Sequence, residues 1–212
     1  MSVDVARVRA ALADAGLLTT VQGELPAKAS GISDDSRTLE PGSLFIAVRG
    51  TSINGHDFLD AAAARGAACA IVEDAGRTDL PALVVTKGRE SAALAAATAY
   101  GNPAQSLSLI GVTGTNGKTT TTSILRHLLD GGSASAASIG TLGVLIGSEG
   151  RVLPGGTGLT TPGPVELQRV LRALVDGGVR SVAMEVSSHS LDQRRVDGIV
   201  FNAVVFTNLT RD

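Results

Sequence analysis

The segment GVTGTNGKT, residues 111–119, has the residue types of a phosphate-binding turn. It joins an apolar run to a helix-forming stretch, and its glycines let backbone N–H groups approach phosphate oxygens at a helix N-terminus. Lys118 can reach the β and γ phosphates of a nucleotide, and the Thr119 hydroxyl can ligate magnesium. Val112 stands where the common P-loop has its first glycine, which makes a plain P-loop kinase less favoured. The segment predicts an ATP phosphate site, with a glycine turn before an ordinary helix as the alternative.

Glu185 and a pair of threonines supply further groups for chemistry with a charged substrate. Glu185 ends an apolar run one βαβ unit after Lys118 and Thr119, where a carboxylate can hold a divalent cation beside phosphates. A solvated carboxylate at a strand end is the competing interpretation. Thr160 and Thr161 lie in a glycine-rich stretch before a proline-initiated helix, where hydroxyls and exposed amides can bind an anion. We therefore predict a metal ligand and an anionic-substrate site.

The elements that must position these residues alternate between apolar runs and helical patterns, which is typical of an α/β protein with a mostly parallel sheet. Gly101, Asn102 and Pro103 combine a helix stop with a turn signal, so we place a domain boundary there and expect domains 1–102 and 103–212. In the first domain we expect a helix over 4–15, strands at 43–48, 68–73 and 82–86, a crossover helix between the first two strands, and a helix over 89–100. In the second we expect strands at 106–114, 137–140, 142–147, 181–187 and 203–209 and helices at 118–130 and 164–178.

Composition narrows the possible classes of function. Eighteen basic and 20 acidic residues give a net charge of −2, without the cationic excess expected of a protein that binds nucleic acid or anionic lipid. No apolar run is long enough to span a bilayer, and the N-terminus lacks the pattern of a secretory signal, so we expect a cytoplasmic protein without membrane insertion. The single cysteine, Cys69, lies in the apolar run AACAIVE, which indicates a buried strand residue rather than a nucleophile.

Three segments together resemble a known family. GTNGKTT after a strand is similar to the nucleotide loop of the Mur ligases and of the related folylpolyglutamate synthetase. AMEVSSHSLDQRRVDG (183–198) and FTNLTRD (206–212) resemble the central domain of the Mur ligase type that acts after the D-Glu-adding step. SDDSRTLEPGSLFIAVRGTSINGHDF (33–58) resembles the UDP-binding domain of the same type. The likeness covers nearly the whole chain and implies a UDP-precursor-binding α/β domain followed by a truncated, P-loop-like ATP-binding domain.

This resemblance implies an amide ligation in peptidoglycan synthesis. ATP would phosphorylate the terminal carboxylate of UDP-MurNAc-L-Ala-D-Glu, and an incoming amine would attack the acyl phosphate, with ATP and Mg²⁺ as cofactors. The family favours meso-diaminopimelate as the amine and a monomer in the full-length form. An L-lysine-adding homologue, a folylpolyglutamate synthetase-like ligase and a non-catalytic precursor-binding fragment stay open as alternatives.

The resemblance also assigns residues to roles. Lys118 and Glu185 would be catalytic, and Thr119 and Glu185 would bind the metal. The ATP contacts would be Gly114, Thr115, Asn116, Gly117, Lys118, Thr119 and Thr120. The precursor contacts would be Asp34 through its backbone, Ser36, Thr51, Ser52, Ile53, Thr160, Thr161, Ser187, Gln193 and Arg195.

For some arginine and histidine residues, the sequence leaves more than one role open. Arg194 and Arg195 are adjacent, and the sequence does not decide which one points inward. His189 could bond a backbone group rather than act as an acid or base, and His56 with Asp57 fits capping at a helix start better than a catalytic pair.

The family continues beyond FTNLTRD with a carbamylated lysine, a histidine and a domain that recognises the incoming amino acid. We therefore expect this chain alone to bind the precursor weakly without forming product. We also expect an unpaired sheet edge with exposed apolar surface, and self-association through it.

Overall fold

The computed structural model describes residues 2–50, 53–154 and 158–210. The chain divides into two compact units, unit 1 over Met1–Gly101 and unit 2 over Asn102–Asp212. Each unit is an α/β structure with its own sheet. Within the described residues, no helix is both long and apolar enough to cross a lipid bilayer.

Unit 1 is built on a five-stranded sheet with the strand order β2-β7-β6-β5-β4. β4 to β7 pair in parallel, β2 pairs antiparallel with β7, and β1 pairs antiparallel with β3 outside this sheet. The elements are β1 (Val3–Asp4), α1 (Val5–Asp14), β2 (Leu18–Gln22), β3 (Lys28–Ala29), β4 (Ile32–Ser33), β5 (Leu44–Ala47), α2 (Leu59–Ala64), β6 (Cys69–Val72), β7 (Ala82–Val85) and α3 (Gly88–Ala99).

The core of unit 1 follows from its continuous apolar strands. Every residue of β5, β6 and β7 is buried, as expected for parallel strands covered on both faces. The helix α2 makes the expected crossover between β5 and β6. Cys69 is buried in β6, and burial raises the pKa of its thiol to about 12. The thiolate is the nucleophilic form of cysteine, and burial disfavours it. Cys69 is therefore a core residue rather than a nucleophile, as its sequence context predicts.

Unit 2 contains a six-stranded sheet with the order β11-β10-β9-β12-β8-β13. β9, β12, β8 and β13 are parallel, whereas β10 and β11 extend the sheet in antiparallel fashion. The predicted α/β class with mostly parallel sheets is therefore confirmed. The elements are β8 (Ser108–Thr113), α4 (Lys118–Asp130), β9 (Ala136–Gly140), β10 (Gly143–Ile146), β11 (Arg151–Leu153), α5 (Pro164–Asp176), β12 (Ser181–Glu185), α6 (Ser188–Asp192) and β13 (Ala203–Phe206).

Local sequence signals set the ends of the main helices in unit 2. α4 begins after Gly117, whose φ of 87° suits glycine, and it ends before Gly131 with a φ of 55°. α5 begins at Pro164, where the missing N–H costs no helical hydrogen bond, and ends before the pair Gly177 and Gly178. The apolar face of α5 packs into the core with the central strands β8, β9 and β12.

The order of the strands places the chemically important residues at one edge of the sheet. β8 and β12 are parallel neighbours, and Glu185 at the end of β12 lies opposite Val112 near the end of β8. The loop that follows β8 and the carboxylate that ends β12 therefore emerge side by side. This is the carboxyl edge, where open α/β sheets bind their ligands.

β13 is an edge strand in the described part of unit 2, and it carries exposed apolar side chains. Val204 is 76% exposed and Phe206 is 63% exposed. The expected exposed edge is thus present among the described residues, whereas self-association through it stays a prediction.

Candidate active site

The loop between β8 and α4 is compact because two of its glycines adopt left-handed backbone conformations. Gly114 has a φ of 130° and Gly117 a φ of 87°. A side chain at Gly114 would collide with the hydroxyl of Thr207 and would lie 2.8 Å from the carbonyl oxygen of Asn208. Glycine is therefore needed at Gly114 for space as well as for conformation.

The start of α4 presents backbone donors without helical acceptors beside a cationic side chain. The first helical hydrogen bond runs from the Thr121 N–H to the Gly117 carbonyl, so the preceding N–H groups have no helical acceptor. The ammonium of Lys118 donates to the carbonyls of Gly114 at 2.6 Å and Thr115 at 3.1 Å, which holds it over the loop. This combination of orphan amides, helix dipole and ammonium fits an anion such as a nucleotide phosphate.

Glu185 is a buried carboxylate with neutral partners. It is 1% exposed, its Oε1 accepts from the Thr141 N–H at 2.9 Å, and its Oε2 accepts from the Thr141 hydroxyl at 3.3 Å. Within the described residues, no cationic side chain pairs with it. Gly140 has no room for a side chain, because a Cβ there would collide with the carboxylate. A buried charge without a counter-ion is costly, and a cation would compensate it.

A cavity of about 10 Å³ lies between α4 and the sheet, with Thr119 and Glu185 in its lining. That volume is close to the space of one water molecule, which also suits a small cation. A hydroxyl and a carboxylate are oxygen ligands of the type that Mg²⁺ uses together with water and phosphate oxygens. No group of three or more His, Cys, Asp or Glu side chains that could hold a metal occurs in the described ranges. The pair therefore fits a magnesium ion shared with a ligand rather than one caged by protein.

Arg194 and Arg195 lie in different environments, which shows which of the two side chains points inward. Arg194 has a φ of 58°, is exposed and pairs with Asp197 at 3.5 Å. Arg195 points inward, where its Nη1 donates to the Thr161 carbonyl at 2.7 Å and its Nη2 donates to the Gln193 Oε1 at 2.6 Å. Burial lowers the pKa of the Arg195 guanidinium, which nevertheless stays charged because its ordinary value is so high.

Arg195 is thus a partly desolvated cation whose partners in the described structure are neutral oxygens. Such a guanidinium favours a carboxylate or phosphate from a ligand, because charge-assisted bonds are stronger than bonds to neutral acceptors.

The paired threonines have different roles. The Thr161 hydroxyl is buried and ties two segments together, since it donates to the Glu185 carbonyl at 2.9 Å and accepts from the Ser187 N–H at 3.2 Å. The Thr160 hydroxyl lies 3.2 Å from the Thr141 hydroxyl and is half-buried. Of the two side chains, the Thr160 hydroxyl is therefore the one better placed to reach a substrate.

Ser187 caps α6, its Oγ accepting from the Ser190 N–H at 3.2 Å. His189 follows on the same short helix and is exposed.

Unit 1 contains a separate pocket of about 380 Å³, within the size range of small-molecule sites. It is lined by Asp34, Asp35, Ser36, Arg37, Ile53 and Phe58. Ser36 is 6% exposed, and its hydroxyl has no protein hydrogen-bond partner in the described part of the chain. The exposed side chains of Ile53 and Phe58 supply an apolar surface for a planar base. The pocket thus joins three of the predicted substrate contacts, whereas Thr51 and Ser52 lie outside the described residues.

His56 links two loops of unit 1. Its Nδ1 lies 2.9 Å from the Asn54 Oδ1, and its Nε2 accepts from the Glu73 N–H at 3.0 Å. Burial lowers the pKa of its imidazole, which favours the neutral ring that these bonds require. Asp57 pairs with Arg77 instead. The predicted capping chemistry is present, but the cap itself is Asn54, which accepts from the His56 N–H.

The sequence reasoning missed several residues that contact the site. Phe58 lines the pocket of unit 1, and Thr141 orients Glu185. Thr207 and Asn208 follow β13 and form hydrogen bonds with the loop between β8 and α4, residues 114–117, here called the phosphate loop. Thr141 follows the run ASIG, and no local sequence pattern there indicates a site residue. Thr207 and Asn208 lie in FTNLTRD, which resembles the family's central domain.

Comparison with known families gives matches over both units. The model of the Mur ligase middle domain matches residues 112–212, and that of the Mur ligase family catalytic domain matches residues 28–108. The chain is 44% identical over 192 residues to the UDP-N-acetylmuramoyl-L-alanyl-D-glutamate–2,6-diaminopimelate ligase of Geobacter metallireducens, covering 90% of this chain and 37% of that protein. It is 46% identical over 178 residues to the ligase of the same name from Geobacillus kaustophilus, covering 84% and 36%.

Solved structures agree with these matches. A structure of a ligase with the same name superposes with a TM-score of 0.73 and 30% identity, covering 90% of this chain and 39% of the other. MurF from Acinetobacter baumannii gives a TM-score of 0.61 at 22% identity, covering 89% and 36%, which shows a shared fold.

The chain spans just over a third of the length of the curated relatives that it matches. The family models nevertheless match unit 1 from residue 28 onward and most of unit 2, and these regions carry the phosphate loop, Glu185 and the pocket of unit 1. This chain belongs to the Mur ligase family.

Proposed function

We propose that this chain provides the nucleotide, magnesium and precursor sites of an ATP-dependent ligase that adds meso-diaminopimelate to UDP-MurNAc-L-Ala-D-Glu. The reaction proceeds through an acyl phosphate on the precursor, which the incoming amine converts into an amide with release of ADP and phosphate. It takes place in the cytoplasm. The relatives named above have names that describe the addition of 2,6-diaminopimelate to this precursor, and membership of the Mur ligase family supports the same reaction class for this chain.

The observation that carries the proposal is the meeting of the phosphate loop and Glu185 at the carboxyl edge of unit 2. Thr119 and Glu185 line the same small cavity, and they would hold Mg²⁺ there. The ion would neutralise phosphate charge during transfer to the carboxylate. Lys118 contributes a further positive charge beside the orphan amides of α4.

The two units take different parts of the substrates. In unit 2, Arg195 and the Thr160 hydroxyl bind the anionic peptide end of the precursor. In unit 1, Ser36 donates to or accepts from the uridine nucleotide, and Ile53 and Phe58 pack against its base.

Calorimetric titration of the chain with MgATP, UDP-MurNAc-L-Ala-D-Glu and folate tests the proposal. We expect binding of the first two ligands at independent sites and no binding of folate. Binding of folate instead of the precursor would indicate a folylpolyglutamate synthetase-like ligase. Precursor binding without ATP binding would indicate a non-catalytic precursor-binding module.

A second experiment tests whether this chain forms product by itself. The chain is incubated with ATP, Mg²⁺ and the precursor, together with meso-diaminopimelate or L-lysine, and mass spectrometry is used to look for tripeptide. We expect none, and sustained turnover would contradict the expectation that this chain alone is catalytically incomplete. Product with L-lysine alone would also overturn the choice of diaminopimelate.

A further inference from the structure

The segment TNLT, residues 207–210, leaves β13 and runs directly against the phosphate loop. Thr207 extends the parallel pairing, since its N–H donates to the Thr113 carbonyl at 2.9 Å. Its hydroxyl lies 2.6 Å from the Asn116 carbonyl and 3.2 Å from the Thr113 carbonyl, both of which are acceptors. The segment therefore begins with a bond to the tip of the loop.

Asn208 contacts the loop through backbone and side chain. Its carbonyl accepts from the Thr115 N–H at 3.0 Å, and its Oδ1 accepts from the Asn116 N–H at 3.1 Å. Its Nδ2 donates to the Asn116 carbonyl at 3.1 Å. One asparagine thus satisfies both polar groups of the Asn116 backbone.

Thr210 completes the contact. Its N–H donates to the Thr115 hydroxyl at 3.1 Å, and that hydroxyl donates to the Thr210 carbonyl at 3.0 Å. The Thr210 hydroxyl lies 3.3 Å from the Asn116 Nδ2, which donates to it. Residues more than ninety positions apart therefore form a continuous hydrogen-bond network.

This network divides the amides of the loop into two sets. The N–H groups of Thr115 and Asn116 are occupied by Asn208, whereas those at the start of α4 have no helical acceptor. A phosphate bound without remodelling of the loop would therefore use the amides from Gly117 to Thr120. A loop already held in this shape also avoids part of the entropy cost of ordering when a ligand binds.

We propose that Thr207, Asn208 and Thr210, here called the latch, are positioning residues that hold the phosphate loop ready for ATP and direct phosphate to the amides at the start of α4. This inference rests on the proposed ATP site. It adds that nucleotide affinity depends on a segment with no phosphate contact of its own.

The test compares closely matched variants of the latch in this chain. Thr207→Val keeps the size of the side chain but removes the hydroxyl, whereas Thr207→Ser restores it. Asn208→Ala removes both side-chain bonds to Asn116. Leu209→Ala is the control, because this leucine lies in the same segment and its side chain is 83% exposed.

Two readouts are measured for each variant. MgATP affinity by calorimetry should fall about tenfold in Thr207→Val and Asn208→Ala, and stay within about twofold of the unaltered chain in Thr207→Ser and Leu209→Ala. Amide hydrogen exchange at Thr115 and Asn116, without nucleotide, should accelerate only in the first two variants. UDP affinity reports on unit 1 and should not change.

Unchanged MgATP affinity in both Thr207→Val and Asn208→Ala would overturn the latch and leave the ATP site standing. Loss of affinity in Thr207→Ser as large as in Thr207→Val would also overturn it, because the hydroxyl would then not be the cause. Failure of the unaltered chain to bind MgATP would overturn the proposed ATP site and, with it, the role of the latch.

Discussion

Replacing Glu185 by glutamine should separate magnesium binding from folding. The carboxylate is buried, accepts two hydrogen bonds from Thr141 and has no cationic partner among the described residues. Glutamine has nearly the same shape, and its amide can accept from the Thr141 N–H and donate to the Thr141 hydroxyl. The substitution therefore removes a charge while leaving the packing and most of the bonding in place.

The expected magnitudes follow from the cost of a buried charge. An ionised group without a counter-ion loses several kcal/mol of solvation, of which hydrogen bonds to charged groups return about 1.5–3 kcal/mol each. In EDTA, Glu185→Gln should therefore unfold at the same temperature as the unaltered chain or above it. A ligand present at about a hundred times its Kd stabilises the folded state by about 2.7 kcal/mol, which is about 10 °C in Tm for a unit of this size.

Thermal unfolding with ATP, in either EDTA or MgCl₂, measures both effects. The magnesium-dependent rise in Tm should occur in the unaltered chain and disappear in Glu185→Gln. Glu166→Gln is the control, because Glu166 pairs with Arg169 on α5 and its loss should leave the magnesium response intact. A full magnesium response in Glu185→Gln would refute the metal assignment. If Glu185→Gln lost more than about 2 kcal/mol of unfolding free energy in EDTA, the argument that the Glu185 charge lacks compensation would be refuted.

Three further substitutions test other parts of the structure. Lys118→Ala should weaken MgATP binding at least tenfold and leave UDP binding unchanged, because the ammonium lies over the phosphate loop. Calorimetry with each ligand measures this, and equal losses of affinity for the two ligands would contradict a local role of Lys118. Ser36→Ala should weaken UDP binding about fivefold, as expected for the loss of one hydrogen bond from a hydroxyl, without changing MgATP binding. Unaltered UDP affinity would show that Ser36 is not a contact of the nucleotide. Asp130→Asn should lower Tm at neutral pH, because bonds from the Ser148 hydroxyl and from backbone amides lower the pKa of Asp130 to about 2. Since this pKa lies below the ordinary value of 3.8, the stabilisation is present above that value and is lost as the pH falls towards 2. The difference in Tm should close over that range, and a difference independent of pH would show that the charge is not its source.

Much of the fold could be predicted because its signals are local. The helix predicted over 118–130 is α4, with a glycine at each end, and the apolar runs of unit 1 became the buried strands β5, β6 and β7. The spacing of apolar residues and the positions of glycine and proline act over a few residues, so they can be interpreted without knowing the neighbours in space.

The sequence by itself determined the chemical groups of the site and the elements that carry them. Lys118 and Thr119 open a helix after a strand, and Glu185 ends another strand, in an order that predicts a shared carboxyl edge. Only the tertiary structure decided which groups are available to a ligand. In the folded chain, Arg195 points inward, and the Thr161 hydroxyl donates to the Glu185 carbonyl. Asn208 lies against the phosphate loop, where it accepts from the Asn116 N–H. These outcomes depend on strand order and on contacts between distant residues, where burial and competing hydrogen bonds, rather than local spacing, decide the partner of each polar atom.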